Sequence, residues 1–351
     1  MRELTVRASG AYTVRLERGA LSSLGRLLPK KPRAAALIAE EAVDRLYGDR
    51  AQAGLEAAGI RVERKTFPGG EAEKCGRTLF EILEFLAERR ISRGDMLVAL
   101  GGGVTGDLTG FAAAVYLRGV PFAQVPTTLL AMVDASVGGK TAVNLDAGKN
   151  LAGAFHQPAF VLIDPDALDT LPPEVLADGV AEAIKCGVIG DKDLFSRLAP
   201  GFDLKDAEET IARCVAMKRD LVEVDERDTG ERQLLNFGHT VGHAIEKASD
   251  YAISHGRAVA LGMLAEARGA EAAGFAEEDC SGPIREALTN NNLPVSCPFP
   301  AEALLEAMLR DKKVRSGRIQ LALPKRIGHC ALYEIDVDAL GGFLARALEH
   351  P

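Results

Sequence analysis

Up to about residue 170 the chain alternates short apolar runs with helical periods, and few architectures accommodate that alternation. AALIA (35–39), DMLVALGGG (95–103), FAQVP (122–126) and FVLID (160–164) are apolar runs of strand length, and RVERKTF (61–67) reads as another strand. A helical stretch follows the first run as far as residue 58, and EILEFLAERR (81–90) repeats with helical spacing. Strands alternating with helices predict a parallel α/β domain. Residues 2–7 and 12–17 alternate around Ser9-Gly10 and predict an N-terminal hairpin. After Leu171-Pro172-Pro173 the texture changes to helical periods from 174 to about 312, then two strands (318–324 and 331–335) and a final helix. The expected organisation is an α/β domain over residues 1–172 and a mainly α-helical domain over 173–351.

Charge and cysteine usage remove several classes of function. A net charge of −8 over 351 residues argues against nucleic acid or an anionic membrane as partner. The first twenty residues lack an apolar signal-peptide core, and no run of about 18 apolar residues is present. Six cysteines without a C-x-x-C pair fit reduced thiols and a cytoplasmic protein.

Four stretches carry residues suited to chemistry. NFGHTVGHAIEKASDYAISH (236–255) holds three of the six histidines. His239 and His243 are four apart and share one helical face; His255 opens the next apolar period. In PPEVLADGVAEAIKCGVIGD (172–191), Glu182 and Lys185 stand three apart on a helix whose other positions are largely apolar or small, where an unpaired carboxylate is expensive. They form either an ion pair or, with the histidines, part of a metal site. Two imidazoles and one carboxylate would leave an open zinc position, and spacing leaves open which histidines are used.

LVALGGGVTGDLTGF (97–111) runs from a strand through glycines into a helix, which suits a pyrophosphate, although no acidic strand end follows where the dinucleotide fingerprint needs one. VDASVGGKTAVNLDAGKN (133–150) is no P-loop, because Asp134 stands where the first glycine belongs; Lys140, Lys149 and Asn150 are expected on a loop. Arg118, Lys140, Lys149, Lys185, Lys218, Arg232 and Lys312 fall in or beside these segments. Gathered at one site, such cations would suit a substrate carrying phosphate and carboxylate. Asp225, Glu226 and Asp228 around Thr229-Gly230 read as a solvated polar turn.

PGGEAEK, GGGVTGDLTGFAAAVYLRG, VPTTLLAMVDASVGGKTAVN, GKNLAGAFHQP, GVAEAIKCGVI, LLNFGHTVGHAIE, HGRAVALGM and DKK follow one another along nearly the whole chain. In that order they closely resemble the 3-dehydroquinate synthase family of sugar phosphate cyclases. The resemblance implies a Rossmann-like N-terminal domain, a helical C-terminal domain and a homodimer. It implies a metal, zinc or alternatively cobalt, on Glu182, His239 and His255, with His243 an active-site group and not a ligand. NAD contacts would fall on Glu71, Lys74, Gly103, Asp107, Thr127, Thr128 and Lys149, with Glu40 where aspartate is usual. Substrate and catalytic groups would be Arg118, Asp134, Lys140, Asn150, Lys185, Lys218, Arg232, Asn236, His243 and Lys312.

Asp228, Glu231 and Arg257 depart from the family pattern and are expected to tune the site. The implied reaction takes 3-deoxy-D-arabino-heptulosonate 7-phosphate, a phosphorylated sugar acid, through oxidation by NAD+, phosphate elimination, reduction, ring opening and aldol closure. Related cyclases acting on substrates without a carboxylate, and glycerol dehydrogenase-type enzymes that release NADH, are the alternatives. Retention of Lys218, Arg232, Asn236 and the DKK lysine favours the first reading.

Overall fold

The uninterrupted apolar runs become the centre of a seven-stranded sheet. β3 (Ala34–Glu40) lies parallel to β5 (Met96–Gly101), with Ala35 opposite Met96 and Ala39 opposite Leu100. Every residue of β5 is buried, as is every residue of β3 before Glu40, because both faces of the sheet are covered. β4 (Arg61–Phe67) pairs with the outer side of β3 and forms one edge; its Arg61, Glu63 and Lys65 discourage further strand pairing. On the other side follow β6 (Phe122–Pro126), β9 (Phe160–Ile163), β2 (Ala11–Leu16) and β1 (Arg2–Arg7), the last antiparallel to β2. The structure, a computed structural model, describes residues 1–309 and 317–348.

The spatial order β1-β2-β9-β6-β5-β3-β4 sets the place of a ligand. From β3 the chain winds outward through α1 (Asp49–Glu56) to β4. It then returns through α2 (Gly76–Glu88) to β5 on the opposite side of β3, and continues through α3 (Gly103–Val115) to β6. The winding reverses between β3 and β5, and open α/β sheets bind ligands outside the carboxyl ends of strands at such a point. Glu40 and Gly101 end those two strands.

Much of the stretch 133–150, expected as a loop, lies in an antiparallel hairpin instead. β7 (Lys140–Leu145) pairs with β8 (Gly148–Phe155), with Lys140 opposite Phe155 and Leu145 opposite Gly148. Thr141, Ala142 and Val143 are buried, and Val143 packs into the core of the sheet domain with Leu108 and Phe122. Its polar residues cluster at the turn, which masked the apolar side of β7.

The chain divides into two units, Met1–Leu171 with Lys218–Arg227, and Pro172–Met217 with Asp228–Pro351. The segment Lys218–Arg227 groups with the α/β unit, which the change of texture at Pro172 did not foreshadow. Glu226 explains part of this: it accepts hydrogen bonds from Ser9 N (2.8 Å), Ser9 Oγ (2.7 Å) and Gln157 Nε2 (2.8 Å), so it is no solvated turn charge.

The second unit contains α4 (Pro173–Gly190), α5 (Lys192–Leu198), α6 (Ala207–Val224, its last turns in the first unit), α7 (His239–Ala248), α8 (His255–Ala272), α9 (Ser281–Asn290) and α10 (Ala301–Leu309). An antiparallel pair, β10 (Arg318–Arg326) and β11 (His329–Asp336), and α11 (Val337–Leu348) complete it. α4 and α8 are buried on nearly all sides, as their small apolar residues require. α7 and α8 cross closely at glycines: a Cβ on Gly262 would lie 2.0 Å from the Gly238 carbonyl oxygen and 2.7 Å from Gly242 N. No helix among the described residues is long and apolar enough to cross a membrane.

Candidate metal centre and nucleotide site

Three helices of the second unit deliver one side chain each to a common point. α4 brings Glu182, α7 brings His239 at its first position, and α8 brings His255 at its first position. His239 Nε2 lies 3.4 Å and His255 Nε2 3.2 Å from the same carboxylate oxygen, Glu182 Oε1. Ligand atoms about 2.1 Å from a tetrahedral zinc are about 3.4 Å apart, so the spacing matches a coordination polyhedron.

Backbone contacts fix these starting positions. Asp178, one turn before Glu182, accepts from Ser254 Oγ at 2.6 Å and Arg257 N at 3.2 Å, which caps the start of α8 beside α4. Gly256 permits this approach, because a Cβ there would meet Asp178 Cα at 2.3 Å. Glu266, fully buried on α8, accepts from Gly238 N at 2.6 Å and Val241 N at 3.1 Å and so anchors the start of α7. Gly238 has φ 77°, a left-handed conformation that glycine adopts without penalty.

Glu182 is 1% exposed, and neither carboxylate oxygen has a hydrogen bond of acceptable geometry. Lys185, equally buried, forms an ion pair with Oε2. Removing a carboxylate from water without hydrogen bonds costs several kcal/mol, on the order that a bound cation would offset. Burial opposes its ionisation, yet Lys185, His239 and His255 hold its carboxyl well below the usual range. Burial, then Lys185, pushes His239 well below an ordinary histidine, so it is a neutral donor. Burial also disfavours charge on His255, but Glu182 and Glu246 raise its pKa to about 10. A charged lysine against one oxygen and two imidazoles against the other fit a divalent cation at Oε1.

Among the described residues, two groups of three ligating side chains have atoms within 4.8 Å of one another: Glu182, His239 and His255, and His243, Glu246 and His255. His243 Nε2 is 4.0 Å from Glu246 Oε2, and its ring lies 5.4 Å from that of His239.

In the first unit the ends of β3 and β5 carry a second cluster. Gly102 caps α3, and Gly103 opens it. Gly101 and Gly106 leave room for neighbours: a Cβ at Gly101 would meet Thr105 Oγ1 at 2.4 Å, and one at Gly106 would meet Gln124 Oε1 at 2.6 Å. Glu40 accepts from Thr105 Oγ1 at 3.3 Å, and burial raises its pKa against that bond and one from the Gly70 backbone.

Nearby, Lys74 Nζ lies 2.5 Å from Asp107 and donates to Asn150 Oδ1 at 2.6 Å. Burial raises the Asp107 pKa, and Lys74 and Lys218 oppose it. Lys218 Nζ donates to Asp134 Oδ1 at 2.7 Å and to its carbonyl at 2.5 Å. Glycines at a helix N-terminus suit a diphosphate.

Comparisons with known proteins agree in both halves. The family model described as 3-dehydroquinate synthase N-terminal matches residues 64–178, and 3-dehydroquinate synthase C-terminal matches residues 179–314. A curated relative, the 3-dehydroquinate synthase of Enterococcus faecalis, is 42% identical over 344 residues, covering 96% of each chain. This chain belongs to the 3-dehydroquinate synthase family.

Two solved structures resemble this 3-dehydroquinate synthase family member over nearly its full length. 2-Deoxy-scyllo-inosose synthase, complexed with carbaglucose-6-phosphate, NAD+ and Co2+, superposes with a TM-score of 0.89 at 25% identity, covering 98% of this chain and 99% of the other. 2-Epi-5-epi-valiolone synthase from Streptomyces hygroscopicus, with NAD+ and Zn2+ bound, gives 0.87 at 26% identity and 99% coverage of both chains.

The residues expected at the site fall into two groups and a remainder. Glu182, Lys185, His239, His243 and His255 come together in the second unit. Lys74, Asp107 and Asn150 come together in the first, with Glu71 4.0 Å from Lys149 beside them, and Lys218, paired with Asp134, acts electrostatically on Asp107. Thr127 is buried at the end of β6, and Thr128 Oγ1 accepts from Ala131 N at 3.2 Å. Arg118 is exposed with φ 65°, and Lys140 is exposed at the start of β7. Arg232, 1% exposed, and Asn236 lie on the 3-10 turn Glu231–Asn236 that leads into α7. Lys312 lies outside the described residues.

Asn144, Asp178, Glu246 and Glu266 were not singled out in the sequence. Asn144 donates to Glu71 Oε1 at 2.8 Å, accepts from Asn150 N at 2.9 Å, and gives its own N–H to the Lys74 carbonyl at 2.7 Å. It ties the hairpin to the Lys74 loop. For Asp178 and Glu266 a signal existed: a carboxylate among the small and apolar residues of a buried helix needs a partner.

Proposed function

We propose that this chain converts 3-deoxy-D-arabino-heptulosonate 7-phosphate to 3-dehydroquinate and phosphate, using NAD+ and a divalent metal. The observation that carries the reading is the meeting of two imidazole Nε2 atoms at one buried oxygen of Glu182. The names of the curated relatives supply the product, the family resemblance supplies the substrate, and the cyclase structures with NAD+ and Co2+ or Zn2+ support the cofactors. A two-nitrogen, one-oxygen donor set suits zinc, with cobalt a workable replacement.

Glu182, His239 and His255 would hold the metal, and Lys185 would keep the other oxygen of Glu182 turned away from it. Glu40, Glu71, Lys74, Gly103, Asp107, Thr127, Thr128 and Lys149 would hold NAD. When bound, NAD+ supplies a hydride acceptor and the metal a Lewis acid that eases loss of the hydroxyl proton.

The chain's own residues bind and orient the substrate. Arg118, Lys140 and Asn150 of the first unit suit a phosphate, which calls for cations and polar hydrogens, and His243 of the second is a polar group beside the metal ligands. Lys218 in the first unit and Arg232 in the second are each of a type suited to a carboxylate. Asp134 holds Lys218 in place, so its ammonium is fixed before substrate arrives. Asn236 supplies an amide beside α7.

Product analysis tests the proposal. Zinc-loaded protein with NAD+ and the heptulosonate phosphate should give dehydroquinate and one phosphate per turnover, with no net NADH. Sedoheptulose 7-phosphate, which lacks the carboxylate, should not react; its exclusive turnover would move the chain to the carboxylate-independent cyclases. Accumulating NADH would instead indicate a dehydrogenase.

A further inference from the structure

His255 is held between two buried carboxylates on two helices. Its Nε2 lies 3.2 Å from Glu182 Oε1, and its Nδ1 lies 3.4 Å from Glu246 Oε2. Glu246 is 2% exposed and stands on α7, seven residues after His239 and three after His243, so all three share a face. A neutral imidazole offers a lone pair at Nε2 only when its proton is on Nδ1. An acceptor facing Nδ1 holds the proton there.

His239 has the same device in another form. Its Nδ1 lies 3.2 Å from the Phe237 carbonyl, which can only accept, and its Nε2 faces Glu182 Oε1. Both rings therefore have an acceptor behind Nδ1 and direct Nε2 to one point. The competing arrangement uses His243, Glu246 and His255 as the ligands. The His255 nitrogen that Glu246 faces is Nδ1, so a metal held through that atom would demand the opposite tautomer.

We infer that Glu246 is a positioning residue for the metal centre: it fixes His255 as the Nδ1–H tautomer and sets the ring angle that presents Nε2. This rests on the reading of Glu182, His239 and His255 as ligands. Carboxylates behind a ligating histidine commonly act in this way, and their loss weakens metal binding about 10–100-fold.

The test has two arms. In zinc-loaded protein labelled with 15N-histidine, long-range proton–nitrogen correlation resolves the six rings, and His255→Asn assigns the one of interest. The expected spectrum has a protonated Nδ1 and a zinc-shifted Nε2 at His255; zinc on Nδ1 overturns the proposal. In the second arm, Co2+ titration is followed by visible absorption. Glu246→Gln, which can present its NH2 to Nδ1, should bind Co2+ about 10–100-fold more weakly with an altered band, and Glu246→Asp should fall between. Folded Glu246→Gln with wild-type affinity and spectrum also overturns it. Failure of the wild-type protein to take up one Co2+ removes the underlying metal reading instead.

Discussion

Replacing Gly262 by alanine sets two effects of opposite sign against each other. In the interior of a helix such as α8, alanine is favoured over glycine by about 1 kcal/mol. Packing opposes this, because the added Cβ would lie 2.0 Å from the Gly238 carbonyl oxygen, and real Cβ contacts stay above 3.0 Å. Both partners are helix or cap backbone, so α7 and α8 must part by about 1 Å, a strain of about 1–3 kcal/mol. The separation also stretches the bonds from Gly238 and Val241 N–H to Glu266, which as charge-assisted bonds contribute about 1.5–3 kcal/mol each. The net expectation is destabilisation by about 2–4 kcal/mol, read as a fall in melting temperature of about 3–5 °C for a chain of this length.

Because α7 carries His239 and α8 carries His255, zinc affinity should fall at least about tenfold as well. Calorimetric melting and zinc titration measure the two effects. Gly342→Ala on α11 is the control: its Cβ would meet only Arg346 Nη1, at 3.7 Å, and it should stabilise by about 0.5–1 kcal/mol. If Gly262→Ala melts above wild type with unchanged zinc affinity, the close-crossing argument is wrong.

Three further outcomes follow from the same geometry. With its pKa raised from 6.5 to about 10, metal-free His255 is charged at neutral pH; its contribution to stability is complete below pH 6.5 and is lost as pH rises through about 10. Zinc must displace that proton, so calorimetry in buffers of different ionisation enthalpy should show release of about one proton at pH 7.5 and tighter binding at higher pH; zero release contradicts this. Glu182→Gln leaves Lys185 buried without its carboxylate and should cost about 3–5 kcal/mol in urea unfolding, whereas the Glu182→Leu/Lys185→Met pair should recover most of that; equal stability of the two variants refutes the account. Asn144→Ala removes the bonds from the hairpin to Glu71 and Asn150; it should cost about 1–2 kcal/mol and raise the Kd for NAD+ in a calorimetric titration, and an unchanged Kd would remove Asn144 from the nucleotide site.

What could be read in advance followed periodicity and burial cost. The strands β3, β5, β6 and β9 were visible because two-sided burial leaves an unbroken apolar run, and the helical half because its periods are long. Glu182 stood out since a carboxylate in an apolar helix demands a partner. Spacing could not choose among His239, His243 and His255, because helical geometry puts the first two on one face regardless of which nitrogen is used. The hairpin at 140–155 was missed because Gly, Asp and Asn are common to loops and hairpin turns, while its register depends on Val143 reaching a core assembled from distant residues. Glu246 was invisible for a similar reason: its partner, His255, lies on another helix, and only the approach of α7 to α8 brings them together.

The helix Ala207–Val224 begins in one unit and ends in the other, and the chain passes between the units three times. A gene divided after codon 171 would encode a first polypeptide lacking Lys218 for Asp134, Glu223 for the Arg7 N–H and Glu226 for Ser9 and Gln157. The second polypeptide would carry those residues with nothing to receive them. Neither half is therefore a module that recombination could move alone. Split versions of this gene should be silent singly and should recover activity only when both fragments are made in the same cell.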